Sequence, residues 1–379
     1  MKDSDEHELD MSAEQPRAGI SRRSVLAGGA VGVGSLIAAG LIPGGVAGAT
    51  SRGTGYGSVP DRGKSRSVIW ANGAIGSWNL SYDVGGEDAA RFLGWTYKKV
   101  GMTQTTYSAA QVVQVLNEVI ALKPDVMVTP DWVEGEGPLF EKAQKAGIYV
   151  ITNNANNYPD QLQALGIAAV TSDPEVLGQK STAVLMSELV AAGKKKGTII
   201  LGNPYPQNTN QQGEVVGALR EIKASNAANK TNFVGVELAD NSGSDAVQAI
   251  SLWKAKITQL GPSFVGGFAV ADSTTQAAVK AYKEAGFRAG KYPLAAVDVT
   301  VASLAELQQG WVLCVVDAGF YMQGWMPVML AWQALQRGFP ASGAIDASGA
   351  AITHKQLKAA IAANNRQNSL GKDYGVTLT

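Results

Sequence analysis

From residue 67 onward the chain alternates short apolar runs with amphipathic segments. Residues 68–71 form an apolar run typical of a buried strand. Residues 86–100 and 109–122 have helical spacing, and the apolar side chains of the second segment fall on one stripe. Such alternation of strands and helices predicts parallel sheets with crossover helices.

One pattern occurs twice in the same order: helix, proline, strand, acid, helix, Ala-Gly and strand. The first copy runs from Pro124 to Gly147 and the second from Pro262 to Gly286. A repeated unit of this kind indicates two similar domains. We therefore expect an α/β fold with two similar doubly wound parallel-sheet lobes.

The acids of the two copies, Asp131 and Asp272, each follow a predicted strand. Ligands of open parallel sheets bind beyond the carboxyl ends of the strands. If the lobes face each other, both acids point into one cleft between them.

The rest of the chain fits the same scheme. Further strands are predicted at residues 198–202, 233–238 and 312–316, and further helices at residues 213–225, 246–260 and 354–363.

Composition argues against several function classes. The 379 residues carry equal numbers of acidic and basic side chains, so no nucleic-acid footprint is expected. Cys314 is the only cysteine and lies in an apolar run that predicts a buried strand. His7 and His354 are the only histidines. A Ser-His-Asp triad, a histidine-rich metal site and a cofactor are therefore not expected, nor is an enzyme.

The first 49 residues have the layout of a signal peptide. Arg22 and Arg23 precede a Gly/Ala-rich apolar stretch that ends in Ala47-Gly48-Ala49, a cleavage-like site. The arginine pair resembles the twin-arginine motif, so residues 1–49 are expected to direct export to the periplasm or the exterior by that pathway. The alternative is a membrane anchor. Residues 50–66, rich in Gly, Ser and Arg, predict a flexible leader.

Four segments together resemble the sugar-type periplasmic binding proteins of the ribose/galactose-binding group. They are LKPDVMVTPD at residues 122–131, AQKAGIYVIT at 143–152, the segment 268–286 that begins FAVAD, and residues 297–310. Each segment is short, and their shared order carries the resemblance.

The resemblance implies three crossovers that form a hinge, near Thr171-Ser172, near Asp317-Ala318 and between residues 343 and 353. The N-terminal lobe would comprise residues 67–171 plus 318–345, and the C-terminal lobe residues 172–317 plus 346–379. The implied partners are a small-molecule ligand and an ABC permease in the membrane, or a chemoreceptor in some members, with the protein itself a monomer.

Departures from the family pattern indicate the ligand's charge. Asn154-Ala155 stands where the family commonly has Asp-Arg, and residues 208–212 are amide-rich where an arginine is frequent. Ala271 replaces an asparagine, and no glutamine clearly matches the one near the second hinge. Neutral amides in place of arginines favour a neutral, hydroxyl-rich ligand, a sugar or polyol.

Candidate ligand contacts are polar or aromatic side chains at predicted strand ends, because hydroxyl-rich ligands need paired hydrogen bonds and stacking faces. They are Asn72, Trp78, Asn79, Asp131, Trp132, Asn153, Asn154, Asp173, Tyr205, Gln211, Gln212, Asp272, Asp298 and Asp317. Structural alternatives stay open: helix capping for Asp131 and Asp272, hinge or cap use for Asp173, turn formation for the asparagines, and packing for Trp78.

Three functional alternatives also stay open. A periplasmic sensor would use the same clamp to present its ligand to a chemoreceptor or kinase. A transcription regulator of this fold would carry an N-terminal helix-turn-helix where this chain has the export segment. A hydrolase could in principle use Asp131 and Asp272 as paired carboxylates.

Overall fold

A computed structural model describes residues 63–72, 79–101 and 108–373. The predicted signal peptide, most of the predicted leader and Trp78 lie outside the described residues. Within those ranges, no helix combines the length and apolarity needed to cross a bilayer.

The strands form two six-stranded sheets with corresponding strand orders. Sheet 1 has the order β11-β5-β4-β3-β1-β2 and sheet 2 the order β12-β10-β9-β8-β6-β7. Sheet 1 comprises β1 (Ser67–Asn72), β2 (Thr96–Gly101), β3 (Val126–Pro130), β4 (Tyr149–Asn154), β5 (Ala168–Thr171) and β11 (Gly343–Asp346). Sheet 2 comprises β6 (Lys196–Asn203), β7 (Asn232–Ala239), β8 (Phe264–Ala269), β9 (Leu294–Val297), β10 (Cys314–Val316) and β12 (Ala351–Ile352). All described pairings are parallel except that of β10 with β12.

Helices cover both faces of each sheet, which explains why the central strands are apolar throughout rather than alternating. Lobe 1, built on sheet 1, contains α1 (Asn79–Leu93), α2 (Ala109–Leu122), α3 (Gly137–Lys145), α4 (Pro159–Ala164) and α10 (Phe320–Arg337). Lobe 2, built on sheet 2, contains α5 (Pro174–Ala191), α6 (Thr209–Asn229), α7 (Ala246–Leu260), α8 (Asp272–Glu284) and α9 (Val301–Gln308). A last helix, α11 (Leu357–Asp373), follows β12. The prediction of two doubly wound α/β lobes is confirmed.

The internal repeat is visible in three dimensions. β3 and β8, the strands of the two copies, occupy the same position in their sheets. Gly147 and Gly286, which close the two copies, have φ values of 84° and 73°. A left-handed backbone of this kind favours glycine after a helix, so each Ala-Gly pair turns the chain from helix into the next strand.

One predicted helix is wrong in its placement. Residues 86–100 have helical spacing, but α1 covers Asn79–Leu93 and β2 begins at Thr96. Gly94 separates them with φ of 69°. The segment after it pairs in parallel with β1 along its full length, and this pairing outweighs the helical pattern. The helix predicted at residues 109–122 is confirmed as α2.

The chain passes between the sheets three times: from β5 to α5, from β10 to α10, and from β11 to β12. Backbone hydrogen bonds join the crossovers: the Ala347 N–H donates to the Thr171 carbonyl, and the Gly349 N–H to the Asp317 carbonyl, each at 2.8 Å. The apolar core continues through this region, where Phe320 stacks on Tyr82 with ring centroids 5.2 Å apart.

Helices α5 and α6 of lobe 2 approach each other closely, because glycine lies at the contact. A Cβ on Gly178 of α5 would lie 2.0 Å from the Glu214 carbonyl oxygen of α6. A Cβ on Gly217 of α6 would lie 2.1 Å from the Glu175 carbonyl oxygen. These distances leave no room for a side chain on either residue.

Substitution at this contact should therefore destabilise lobe 2. We expect Gly178→Val to lower the free energy of unfolding by at least about 1–3 kcal/mol, the usual cost of overpacking, as measured by urea denaturation. Ala183→Val, at an exposed position of the same helix, is the matched control and should change stability by less than about 0.5 kcal/mol. Equal losses in the two variants would contradict the close packing.

Candidate functional site

The two lobes meet at the carboxyl edges of their sheets. The hydroxyl of Thr209, the first residue of α6, donates to Asn157 Oδ1 at 2.8 Å. Asn157 lies in the loop after β4, and its side-chain amide donates to the Trp132 carbonyl at 3.1 Å. A lobe 2 helix start thus touches the amide-rich loop of lobe 1, where ligand sites of such sheets lie.

Asp131 is completely buried at the end of β3. Its Oδ2 accepts a hydrogen bond from the Tyr158 N–H at 2.9 Å. This bond connects Asp131 to the start of α4 and holds the preceding residues 153–157, which we call the asparagine loop. Its Oδ1 is buried without a hydrogen-bond partner among the described residues. Burial raises the pKa of Asp131 to about 6. Its geometry is therefore that of a support for the asparagine loop, and ligand contact by Asp131 stays a prediction.

Trp132 and Asn154 form the start of a hydrogen-bond chain. The Trp132 indole Nε1 donates to Asn154 Oδ1 at 2.8 Å, and Asn154 Nδ2 donates to the Tyr82 hydroxyl at 2.7 Å. Asn154 has φ of 64°, a left-handed conformation that asparagine tolerates better than most residues. The left-handed turn at Asn154 directs the side-chain amide of that residue across lobe 1 toward α1.

The chain continues into the crossovers. The Tyr82 hydroxyl donates to Gln323 Oε1 at 3.0 Å. Gln323 Nε2 donates to Ser172 Oγ at 2.9 Å and to the Ala318 carbonyl at 2.6 Å, and Asn153 Nδ2 donates to the Gln323 carbonyl at 3.1 Å. The hydrogen-bond chain, Trp132–Asn154–Tyr82–Gln323–Ser172, therefore connects candidate ligand residues to the first two crossovers.

Tyr82 and Gln323 were missed by sequence reasoning. Tyr82 lies on the apolar side of α1 and Gln323 in the first turn of α10, six residues after Asp317. The glutamine near the second hinge that the family pattern calls for had no clear match in sequence. The available signal was its position: Gln323 is a glutamine in an apolar helix directly after the second predicted crossover.

Carboxylates gather on the lobe 2 side. Asp272 begins α8, Asp298 follows β9 and Asp317 follows β10. The Asp272 N–H donates to Asp298 Oδ2 at 3.3 Å, the Thr300 hydroxyl donates to Asp272 Oδ1 at 2.9 Å, and the Gly319 N–H donates to Asp317 Oδ1 at 2.7 Å. The sequence predicted these three strand-end acids, and the structure brings Asp272 and Asp298 into contact.

A fourth carboxyl group, Glu214 of α6, was not predicted. It is 7% exposed, and its Oε2 has no hydrogen-bond partner among the described residues. Asp298 is close enough to add to the effect of burial, and together they raise the pKa of Glu214. We call Glu214, Asp272, Asp298 and Asp317 the acid cluster.

Burial and mutual repulsion disfavour ionisation in the acid cluster. Burial, with the nearby charges of Asp272 and Asp317, raises the pKa of Asp298 to about 7. Burial also raises the pKa of Asp272 and of Asp317, the latter against the opposing effects of the hydrogen bond from the Gly319 N–H and the charge of Lys180. In the described ranges, no group of three or more His, Cys, Asp or Glu side chains is arranged to hold a metal ion.

The hydrogen-bond chain ends beside the acid cluster, because Gln323 Nε2 donates to the carbonyl of Ala318, the residue after Asp317. Burial raises the pKa of the Tyr82 phenol, and Asp298 and Asp317 of the other lobe are near enough to raise it further. Tyr82 is therefore connected through Gln323 to the second crossover between the lobes.

The remaining predicted residues have varied positions. Asp173 caps α5 by accepting the Glu175 and Val176 N–H groups at 2.9 and 3.2 Å. Tyr205 is 42% exposed, and its ring lies against Gly243.

Two glutamines and two asparagines complete the set. The side-chain amide of Gln212 lies 3.2 Å from Asn203 Nδ2. Gln211 Oε1 is buried without a hydrogen-bond partner among the described residues. Asn72 ends β1 and Asn79 begins α1, on either side of the segment that contains Trp78.

Cys314 lies in β10 and is fully buried, as its apolar run predicted. Burial raises the pKa of its thiol to about 12, so the nucleophilic thiolate is disfavoured.

The hydroxyl at the centre of the chain should be important for stability. We expect Tyr82→Phe to lower the free energy of unfolding by about 1–3 kcal/mol, because Asn154 and Gln323 would each lose a buried partner. The matched control is Tyr282→Phe, since the buried Tyr282 hydroxyl has no partner among the described residues. Denaturant titrations of both variants should show a loss for Tyr82→Phe alone, and equal effects would contradict the role of the chain.

The raised carboxyl pKa values predict a pH dependence of stability. Burial raises the pKa of Asp298 from 3.8 to about 7, of Asp131 from 3.8 to about 6 and of Glu136 from 4.5 to about 8. Between the ordinary and the raised value, the folded protein binds more protons than the unfolded chain. The free energy of unfolding should therefore fall from pH 5 to pH 8, by up to about 1.4 kcal/mol per pH unit for each such group.

Two carboxyl groups with lowered pKa values affect stability in a different pH range. Hydrogen bonds outweigh burial at Asp125 and Asp346 and lower their pKa values, so their contribution is lost only below about pH 4. Urea titrations at several pH values measure the slope, which Asp298→Asn should reduce and Glu188→Gln, at an exposed site on α5, should not. Stability that stays constant or rises between pH 5 and pH 8 would refute this assignment.

Comparison with known proteins agrees with this architecture. A carbohydrate transporter from Acidothermus cellulolyticus 11B in complex with myo-inositol superposes with a TM-score of 0.63 at 17% identity, covering 80% of this chain and 99% of its own. A periplasmic solute-binding protein from Actinobacillus succinogenes 130z with bound D-allose gives 0.67 at 20% identity, covering 78% and 100%.

A solute-binding protein from Agrobacterium radiobacter in complex with D-arabinose gives a TM-score of 0.65 at 18% identity, covering 81% of this chain and 98% of its own. At these identities the similarity shows the fold alone. No curated protein sequence matches the chain significantly. The sequence profile of the periplasmic binding protein domain matches residues 67–338, which is most of the chain, and the protein therefore belongs to that family.

Proposed function

We propose that the protein is an extracytoplasmic solute-binding protein that captures a small, neutral, polyhydroxylated ligand between its lobes and delivers it to an ABC permease. The observation that carries the proposal is the contact of the two lobes at the carboxyl edges of their sheets, where the Thr209 hydroxyl of lobe 2 donates to Asn157 Oδ1 of lobe 1 at 2.8 Å. A ligand at this place would contact both lobes at once, so its binding energy would favour the closed arrangement. The protein acts by binding and release, without chemical conversion.

The polar groups around this place suit hydroxyls. Carboxylates and amide oxygens accept hydrogen bonds from hydroxyls, amide N–H groups donate to them, and the Trp132 ring offers a face for C–H groups. The segments 73–78 and 102–107, which follow β1 and β2, contain no lysine or arginine. None of the described side chains named above for the candidate site is an arginine, the residue whose fork recognises anionic groups, which favours a neutral ligand over a phosphorylated or carboxylated one.

The hydrogen-bond chain provides a route by which ligand binding affects the crossovers between the lobes. Trp132 and Asn154 lie where a ligand is expected, and Gln323 bonds directly to two crossovers. A ligand that reorients the Asn154 amide would change the bonds available to Tyr82 and Gln323. Hinge residues are the positions that absorb domain closure.

Export and delivery complete the proposal. The arginine pair Arg22-Arg23 and the small residues before Thr50 support export of the folded protein by the twin-arginine pathway, with cleavage after Ala49. The mature chain would then act as a monomer, and its closed form is the shape that a permease would recognise.

A thermal-shift screen of the mature protein tests the ligand class. The panel contains myo-inositol, D-allose and D-arabinose, with glucosamine and galacturonate as positively and negatively charged comparisons. We expect at least one neutral member to raise the melting temperature, because ligand at 100 times its Kd stabilises by about 2.7 kcal/mol. No shift with any member, or shifts with the charged compounds alone, would overturn the proposed ligand class.

Titration calorimetry with whichever neutral compound binds then tests the site. At pH 8, above the Asp298 pKa of about 7, Asp298→Asn should weaken binding by about tenfold to a hundredfold, the loss expected for a hydrogen bond to a charged acceptor. Glu188→Gln, on the exposed face of α5, is the matched control and should bind as the wild type does. Unchanged affinity in Asp298→Asn would place the ligand elsewhere.

A further inference from the structure

The last helix, α11, is anchored in lobe 2 at its N-terminal end. Leu357, its first residue, is 8% exposed and belongs to the apolar core of lobe 2. Ala360 and Ile361, one turn further on, pack against the same core. This end of the helix is held by a set of apolar contacts and follows β12 of sheet 2 directly.

The other end of α11 lies on lobe 1. Ser81 Oγ, in the first turn of α1, donates to Gln367 Oε1 at 2.8 Å. Gly371 is buried, and a Cβ on it would lie 2.4 Å from Leu80 Cδ1 and 3.6 Å from Val84 Cγ2. The absence of a side chain at Gly371 therefore allows the helix to lie close to α1.

A helix of 17 residues is about 25 Å long, enough to reach from one lobe to the other. Its contacts on α1 involve Leu80 and Ser81, which follow Asn79 directly. Asn79 is a predicted ligand residue at the carboxyl edge of sheet 1, the edge that meets lobe 2. The family profile ends at residue 338, so α11 lies beyond the residues that it matches.

We propose that α11 is an interlobe strap that holds the closed arrangement together. This inference rests on the proposed function in one respect, that the lobes separate to exchange ligand. A rigid helix anchored on two bodies cannot follow both when they rotate apart. One set of contacts must break, and the lobe 1 set is the weaker because it consists of one side-chain hydrogen bond and the packing around Gly371. The strap thereby lowers the open fraction and slows ligand release.

The test uses the full mature chain without any ligand. Gln367→Ala removes the hydrogen bond, and Gly371→Val places a side chain against Leu80. The matched controls are Arg366→Ala and Ser369→Val, at exposed positions of the same helix. Small-angle X-ray scattering measures the radius of gyration of each variant, and circular dichroism establishes that each is folded.

We expect both strap variants to have a larger radius of gyration than the wild type, with the controls unchanged. For Gln367→Ala the open-to-closed ratio should rise about twofold to tenfold, the change expected from loss of one net hydrogen bond. If Gly371→Val does not fold, the radius of gyration of Gln367→Ala alone tests the proposal, since this substitution only shortens a partly exposed side chain.

Scattering of Gln367→Ala that is identical to the wild type would overturn the strap. So would a wild type that is already as open as the variants. Neither result bears on the ligand class, which the thermal-shift screen tests on the wild type. A failed screen likewise leaves the scattering comparison intact.

Discussion

The hydrogen bond between the Tyr82 hydroxyl and Gln323 connects the candidate site to the crossovers, and much of the geometry around it depends on that bond. Both side chains are buried, so neither can exchange its partner for water, and an unpaired polar group there would cost about 1–3 kcal/mol. Tyr82 can satisfy Asn154 and Gln323 together only if α1 and α10 keep their present positions. The bond therefore fixes two helices, the asparagine loop and the first two crossovers relative to one another.

Lobe 2 contributes repulsion between carboxyl groups rather than hydrogen bonds that hold elements together. The acid cluster brings buried carboxyl groups together, and Asp298 has two acidic neighbours that raise its pKa. Each proton that these groups retain reduces their mutual repulsion, and each hydroxyl donated by a ligand would stabilise the ionised form instead. If the proposed ligand binds at the acid cluster, the closed form is thus electrostatically less favourable at high pH when empty than when filled by a hydroxyl-rich ligand.

The fold was predictable because its determinants are local and repeated. The Pro124–Gly147 and Pro262–Gly286 copies place β3 and β8 at the same position in their sheets, and the apolar stripe of residues 109–122 predicted α2. The strand β2 was not predicted, because its pairing with β1 depends on residues about thirty positions earlier in the chain.

The candidate site was predictable only in part, because some of its contacts join residues that are far apart in the sequence. Strand-end acids and asparagines can be found from the order of elements, which is how Asn154, Asp272 and Asp298 became candidate ligand residues. Gln323 and Tyr82 are 241 positions apart, and no pattern in sequence joins a tyrosine in one helix to a glutamine in another. Glu214 lies inside the helix predicted at residues 213–225, where no sequence pattern marks a buried carboxyl, and it is buried where α6 packs closely against α5.

Contacts between the lobes divide into those that can survive a rotation and those that cannot. The backbone bonds among the crossovers, such as Ala347 to Thr171, lie where the chain passes between the sheets, and a rotation centred there can keep them. The Thr209–Asn157 bond and the Ser81–Gln367 bond join the lobes away from the crossovers and must break when the lobes part. In the proposed closure these bonds favour the closed form, whereas burial of the acid cluster opposes it, so the two contributions would partly cancel in the empty protein. A balance of this kind allows a ligand of modest binding energy to shift the population, because only its differential contact with the closed form counts.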